Sequence, residues 1–509
     1  MASSDGSPGA QDHKAVHEWP IPGIGRVLIT NRSVGSPSTI NILLTFPNPA
    51  SLDASRLARR TAELQQKWPL LSITIADQRT PRPAMRYRRA SWDADQVLRR
   101  ETYDANPADP GAERDWIYDR ALRLFQEKVS FDSDPLWRVT LFRASSNPDH
   151  HRLYLSLTLD HIIIDGRGAV KLARALIADD ISEHPKEDIA IYKGMGGEEI
   201  EGIPPYSFIA STIFSMLVIP RLPGFLQRWL GHVPAWPQKV ARPPIDSPWK
   251  LSILDVPAGL MHKLKAAGKR HGIATLNPTL HTAWVLAIWT VFIGRRDDLS
   301  IRDCSVKDLR DVSKGDPYCL AGHATMFMWS TGSLTARSRF WDLARSYGGV
   351  SADPQAAVDG FNMMKMLNLV KEKPTKPEEC RYRAPDPAVL PAGDKRAHTL
   401  REEGALKKIN SLCPYDGLSG IWSNLSYMAL PEGATDMIFG VSGNDTGTAF
   451  NTCLVGHENG VRLQNAFSDG AAMTEEGVKK AEKVFVGILE SIAAEEGEDW
   501  LVGELLKDA

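Results

Sequence analysis

The chain has 509 residues, more than one ordinary core accommodates, so two domains of roughly 200–250 residues each are expected. Hydrophobic residues make up 43% and charged residues 24%, which excludes a disordered or fibrous chain. A formal net charge of −2 gives no overall electrostatic reason to bind nucleic acid or an anionic membrane, and a small-molecule substrate is the default expectation.

The five cysteines, Cys304, Cys319, Cys380, Cys413 and Cys453, are odd in number and form no CxxC pair. Neither a disulfide framework nor a zinc site is expected, and a reducing cytoplasm fits. The polar residues 1–15 lack the apolar segment of a secretory signal and read as a disordered tail. Leu506-Lys507-Asp508-Ala509 matches neither a peroxisomal nor a retention tail.

In chain order, Thr39 to Phe46 reads as a strand. Leu57, Thr61, Leu64 and Trp68 share a helical face that Pro69 ends, and Leu71 to Ile75 is a second strand. Leu136 to Phe142 is a strand, and Leu153 to Leu159 alternates without a break, the clearest β pattern in the chain. Ala169, Leu172, Ala173, Leu176 and Ile177 form a helical face. Tyr206 to Ile219, stopped by Pro220, is too short for a membrane span and reads as a buried or interface helix in preference to a membrane-surface contact. Phe225, Leu226, Trp229 and Leu230 extend its apolar character and keep the surface reading open, and a lipid-like or terpenoid substrate would leave the same signature. Segments 193–205 and 231–248, rich in Gly or Pro, bracket it as a crossover between two halves.

The second half opens with a strand, Trp249 to Val256, and a helix from about Ala258. Thr279 to Ile293 is apolar all round and is expected to be a buried helix. Leu299 to Val306 and Thr325 to Ser330 read as strands, and 372–396 as a long exposed loop. Met437 to Val441, Phe450 to Val455 and Gly460 to Leu463 read as closing strands, followed by a helix from Glu475 to Glu495. The alternation predicts an α/β chain.

The chemistry points to the stretch Asp160-His161-Ile162-Ile163-Ile164-Asp165-Gly166. Side chains alternate along a strand, so Leu153, Leu155, Leu157 and Leu159 share the buried face and His161 continues it inward. Gly166 and Gly168 mark a change of chain direction, where substrate sites concentrate. Imidazole is the side chain suited to taking a proton near neutral pH. Asp165, four residues on, either holds the ring in its working tautomer or fixes the loop through a cation; spacing does not separate the two.

This stretch resembles the HxxxD(G) acyltransferase superfamily. That group includes chloramphenicol acetyltransferase, plant BAHD enzymes, fungal alcohol and trichothecene O-acetyltransferases, and nonribosomal peptide condensation domains. Asp134 to Val139 is similar to the strand that precedes the motif strand. Thr275 to Ile288, with Leu280-His281-Thr282-Ala283, is similar to a helix of the second lobe. Val306-Lys307-Asp308-Leu309-Arg310 resembles the family's V-[ND]-L-R segment with one extra residue, and Ser423-Asn424-Leu425 resembles its SNLG element with Ser426 in place of Gly. The ordered set runs through about four-fifths of the chain.

The resemblance implies two chloramphenicol acetyltransferase-like lobes, each a mixed sheet with flanking helices, and a tunnel between them. It divides the chain into a lobe at 16–235 and a lobe at 236–509. It assigns His161 as general base toward an acceptor hydroxyl or amine, Asp165 as its structural partner, Arg310 as the cation that Asp165 pairs with, and acyl-CoA as co-substrate, with no metal. The acceptor would be a hydrophobic small-molecule alcohol of terpenoid, polyketide or glycolipid type, and the protein a monomer. The nearest resemblance is to fungal secondary-metabolism or lipid-modifying enzymes. Ser423 and Asn424 are the candidates to contact the developing oxyanion; the bland reading of Asn424 is an Asn closing a strand-end turn. Two departures matter. Asp160 stands where the HHxxxDG form of condensation domains has His, which tilts the reading toward free-standing O-acyltransferases, and the DFGWG motif of BAHD enzymes is absent, with Asp416 to Gly420 only a distant echo.

Rival readings have less support. No G-x-S-x-G elbow marks a serine hydrolase, and no G-x-x-x-x-G-K-[ST] marks a phosphate loop. Arg167 and Lys171 open a helix and could approach a phosphate, although a solvated helix start is the expected reading. His13 and His17 have no third ligand in view, His281 is expected in the core, and His323 and His457 are loop residues without an evident partner. A condensation-like enzyme acting on carrier-bound acyl chains and a silent binding module remain the alternatives.

Overall fold

The computed structural model describes residues 17–507, except 22, 34–37, 48–51, 79–82, 89, 105–109, 128, 146–150, 190–201, 238–248, 311–319, 370–381, 385–397, 401–402, 405–417, 443–447 and 495–497. The N-terminal tail, His13, Cys319, Cys380, Cys413, Asp416, Gly417 and almost all of the 372–396 loop lie outside the described residues.

The first half runs β1 (Glu18–Pro20), α1 (Gly23–Ser33), β2 (Thr39–Phe46), α2 (Ala54–Lys67), β3 (Ile73–Ala76), β4 (Ala84–Tyr87), α3 (Ala94–Val97), β5 (Leu98–Tyr103), α4 (Pro110–Gln126), β6 (Trp137–Ala144), β7 (Leu153–Asp160) and α5 (Gly166–Ile177). A connecting segment carries α6 (Tyr206–Ile213) and α7 (Gly224–Trp229). The second half runs β8 (Trp249–Pro257), α8 (Ala258–Arg270), α9 (Asn277–Val291), β9 (Arg302–Asp308), β10 (Ala324–Ser330), α10 (Phe340–Ala352), α11 (Pro354–Met366), β11 (Tyr382–Arg383), β12 (His398–Thr399), β13 (Gly420–Tyr427), β14 (Asp436–Val441), β15 (Phe450–His457), β16 (Gly460–Ser468), α12 (Glu475–Ala494) and α13 (Val502–Leu505).

Two mixed sheets result, each with helices against it. The first has strand order β14-β2-β7-β6-β5, antiparallel except for β5–β6. The second has order β10-β9-β13-β15-β16-β8, in which β9, β13 and β15 are parallel neighbours. A small antiparallel sheet, β1-β4-β3, flanks the first. β14 does not stay with the closing strands around it. It leaves the second half and pairs with β2 from Asp436↔Thr45 to Val441↔Ile40, so one strand of the later sequence completes the earlier lobe.

The parity of β7 is as its sequence dictates. Leu153, Leu155, Leu157 and Leu159 are fully buried and pack with Leu57, Leu64, Leu172 and Leu176 of α2 and α5. The opposite face is covered too: Tyr154 packs with Ile117 and Leu124 of α4, and Asn41 donates to Ser156 Oγ at 2.5 Å. α9 is buried on every side from Pro278 to Trp289, lying against α10, α12 and β13, which accounts for its lack of a polar face. α4, α10 and α11 are additions to the elements read from sequence. In α4 the apolar residues are sparse among Arg, Asp and Glu, and Trp116 faces solvent, so its periodicity is weak.

Of the readings open for the Tyr206 segment, burial is the one the structure does not show. α6 and α7 contain no buried residue, and Tyr206, Phe214, Leu217, Phe225 and Trp229 are exposed. A continuous apolar run carries no periodicity that says which side faces the core, and here the apolar side faces out. Among the described residues no helix is long and apolar enough to cross a membrane.

The lobes meet tightly at the start of α5. A Cβ on Gly168 would lie 2.3 Å from the Leu320 carbonyl oxygen and 2.7 Å from Ile164 Cγ1, so only glycine lets the second lobe approach. Gly168→Ala is expected to destabilise the protein by about 1–3 kcal/mol or more. Gly487→Ala, inside α12 with nothing near its added methyl, should instead stabilise by about 1 kcal/mol. Urea unfolding midpoints check both, and equal effects at the two sites would contradict the close approach at Gly168.

Candidate active site

The motif stretch is a strand that ends in a turn and hands over to a helix. β7 closes at Asp160, whose carboxylate pairs with Arg32 of α1 and accepts from the Ile162 backbone at 3.0 Å. Asp160 is therefore spoken for on the side away from the cavity. The His161 backbone N–H donates to Ser38 O at 2.9 Å, and Ile162, Ile163 and Ile164 bury themselves in the first core. Three large apolar side chains in a row pin the turn and fix the position of the residue before them.

Asp165 caps α5, accepting from the Gly168 N–H at 2.8 Å with extended backbone at the cap. Its carboxylate also receives a two-pronged contact from Arg310 of the second lobe, at 2.9 and 3.0 Å, and the His323 N–H at 2.9 Å. Each oxygen of Asp165 thus accepts two hydrogen bonds. Arg310 in turn donates to Asp308 at 2.9 Å and to Ala321 O at 3.0 Å. Burial works against the charge on Arg310, but Asp165 and Asp308 more than offset it and raise its pKa. Of the two sequence readings of Asp165, the geometry is that of the loop-fixing ion pair; the carboxylate has no capacity left to orient His161.

His161 itself is half-buried and opens into a cavity of about 290 Å³ between the lobes. Its Nδ1 is buried and has no hydrogen-bond partner among the described residues. Arg167 and Gly166 of α5 form one wall, with Phe439 and Val441 of the crossover strand β14 beside them. The second lobe contributes Asn277, Lys307, Phe327, Tyr347, Trp422 and Ser423. The glycine of the motif has a packing reason: a Cβ on Gly166 would sit 2.8 Å from Leu425 Cδ2 and 2.9 Å from Phe439 Cζ.

The candidate oxyanion residues lie on β13 at the cavity. Asn424 is largely committed, since its amide donates to Asn277 Oδ1 at 2.7 Å and its carbonyl accepts the Ser426 N–H at 2.7 Å. Ser426 has φ of +63°, and the pairing of β13 with β15 slips between Asn424 and Tyr427, so Asn424 also holds a turn in the strand. Ser423 lines the cavity directly.

Other sequence candidates fall elsewhere. Arg167 does line the cavity but is paired with Asp308 at 3.1 Å, and the Lys171 ammonium lies over the Trp68 ring. His281 is in the core, as expected, with Nε2 2.5 Å from Asp303 and its ring stacked on Tyr347 at 3.7 Å. His457 is not a loop residue without a partner: it ends β15, buried, with Nε2 2.9 Å from Asp436. His323 serves through its backbone, bonding Asp165. Cys304 and Cys453 are buried, and burial pushes both thiols up to about 12, far from thiolate chemistry at neutral pH. Asn277, Lys307, Tyr347 and Phe439 were not legible as site residues. They come from four separate elements, and only the fold assembles them.

The Asp165–Arg310 pair is buried on both sides, with side-chain exposures of 7% and 9%, and its loss would strand a charge. Arg310→Ala should cost about 3–5 kcal/mol of stability. Arg310→Lys should recover only part, because an ammonium cannot make the two-pronged contact. Chemical denaturation checks this, and an alanine variant as stable as the parent would contradict it.

No family model and no curated sequence matches the chain. Solved structures do match its fold over nearly the whole length. The epimerization domain from the third module of tyrocidine synthetase B aligns with a TM-score of 0.59 at 10% identity, covering 96% of this chain and 99% of that one. The condensation domain of the Monacolin K polyketide synthase aligns at 0.58 and 11% identity, covering 95% and 99%. The first condensation domain of the calcium-dependent antibiotic synthetase aligns at 0.56 and 13% identity, covering 97% and 99%. The two-lobed fold of condensation and chloramphenicol acetyltransferase-like domains is therefore the fold of this chain.

Proposed function

We propose that the chain is an acyltransferase in which His161 is the general base. The acceptor, a hydroxyl of a hydrophobic small molecule, enters the cavity between the lobes. Its oxygen attacks the carbonyl carbon of an acyl thioester while the His161 imidazole takes its proton. The tetrahedral intermediate then collapses, the C–S bond breaks, and the leaving sulfur takes the proton from the imidazolium. Products are the ester and a free thiol. No covalent enzyme intermediate is needed, because the thioester is already activated. Ser423 is the better donor toward the oxyanion, since the Asn424 amide is engaged with Asn277.

One observation carries the reading: the His161 ring opens into an inter-lobe cavity while the aspartate of its motif is tied to Arg310. The donor we favour is acyl-CoA, on the sequence resemblance to free-standing O-acyltransferases and on Asp160 in place of the first motif histidine. A carrier-bound acyl chain is the second reading, and what favours it is that two of the three structures cited above are condensation domains, one of a polyketide synthase and one of an antibiotic synthetase. The exposed Tyr206 segment lines no part of the cavity, so it no longer supports a lipid-like acceptor through direct contact.

The test is thiol release from acetyl-CoA with a panel of alcohols, in parallel with an acetylated carrier protein. His161→Ala should lower the rate by about 10²–10⁴, equivalent to roughly 3–5 kcal/mol of barrier, with folding intact. Release only from the carrier selects the second reading. Release that is unchanged in His161→Ala rejects the mechanism.

A further inference from the structure

The connecting segment between the lobes is built inside out. Tyr206, Phe214, Leu217, Phe225 and Trp229 have 85%, 48%, 52%, 65% and 80% of their surfaces in solvent. Along α6 and the π turn that follows it, Tyr206, Ala210, Ile213 and Leu217 recur at spacings of four, three and four, which places them on one face. Phe225 and Trp229 repeat the spacing on α7. The half-buried Phe208, Ile209 and Thr212 lie on the other side of α6, which packs against α11, and Asn368 donates to Gly202 O at the segment's entry. The segment is thus seated on the molecule by one side and presents its apolar side outward. Contiguous apolar surface of this kind marks an interaction site.

Charge identifies the occupant. From Ile203 to Ile245 there is no Asp or Glu, in a chain that carries 62 acidic residues in 509. The charged residues of the segment are Arg221 and Arg228, both exposed beside the apolar side chains, with Lys239 and Arg242 following in sequence. Aromatic residues with a polar edge stand at its two ends, Tyr206 and Trp229, the residues that settle at the boundary between headgroups and hydrocarbon. A second copy of the chain is disfavoured: a two-fold contact would bring like arginines together with no acidic residue in the segment to pair them. Pro220 and Pro223 break the helix, so the segment lies on a bilayer rather than through it.

We propose that 206–230 docks the protein on an anionic bilayer surface. The apolar side chains enter the headgroup–acyl boundary, and Arg221 and Arg228 reach the anionic headgroups with their stems along the apolar layer. α11 stands between this surface and β10, whose Phe327 lines the cavity, so docking brings one flank of the site near the membrane, where apolar acceptors partition.

The test is flotation of the full chain with vesicles of neutral phosphatidylcholine and with vesicles containing phosphatidylserine. The expected result is binding to the serine-containing vesicles that weakens at high salt. The double variant Leu217→Asp with Trp229→Asp, both at exposed positions, should lose at least about tenfold in binding with an unchanged melting temperature. Arg221→Glu with Arg228→Glu should lose about fivefold per arginine on anionic vesicles. Equal binding to neutral vesicles would overturn the choice of an anionic surface. No binding to either vesicle would overturn the proposal. A wild-type dimer that the double variant dissociates would then assign the face to a second copy.

Discussion

The arrangement depends on one buried ion pair. Asp165 closes the turn after β7, caps α5 and grips Arg310 across the lobe boundary with two parallel hydrogen bonds. A charge pair removed from water needs every donor and acceptor occupied to repay its desolvation. Here the Gly168 and His323 N–H groups complete Asp165, while Asp308 and Ala321 O complete Arg310. The two lobes are held at one spacing as a result. Gly166 and Gly168 are small because that spacing leaves no room for a side chain. The cavity that His161 faces is what remains open beside the clamp.

The same pair frees the histidine. A carboxylate four residues along could have stood against the imidazole, as in a hydrolase relay. Turned toward Arg310, it leaves a histidine placed through its backbone, by the buried run Ile162 to Ile164 after it and by its N–H bond to the Ser38 carbonyl. Behind the opposite wall lies a buried histidine, His281, clasped between Asp303 and Tyr347, which keeps the Tyr347 ring in place at the cavity.

Much of this was legible in the sequence because it is local. The β7 alternation gave the buried leucine face of the strand, apolar spacing and Pro69 gave α2, and apolar residues gave α8 and α9 within a few residues. Asp165 remained ambiguous because its partner is 145 residues away. The crossover of β14 was not legible, since its residues read as an ordinary strand and nothing local says which sheet it joins. His457 looked unpartnered for the same reason, with Asp436 on a different strand. The Tyr206 segment was open for a different reason. Apolar composition fits a buried, an interface or a surface-docked helix, and which neighbours arrive decides among them. The near-zero net charge likewise concealed a stretch of forty-three residues without an acidic group.

In the proposed mechanism His161 does the chemistry while Asp165 only holds the site together. It is tested most directly by the single-turnover acyl-transfer rate of Asp165→Asn, corrected for the folded fraction. The expected variant is easier to unfold, but its folded molecules transfer the acyl group within about tenfold of the parent rate. A loss of about 10⁴ in the folded enzyme, as expected of a carboxylate that orients the catalytic imidazole, would contradict it.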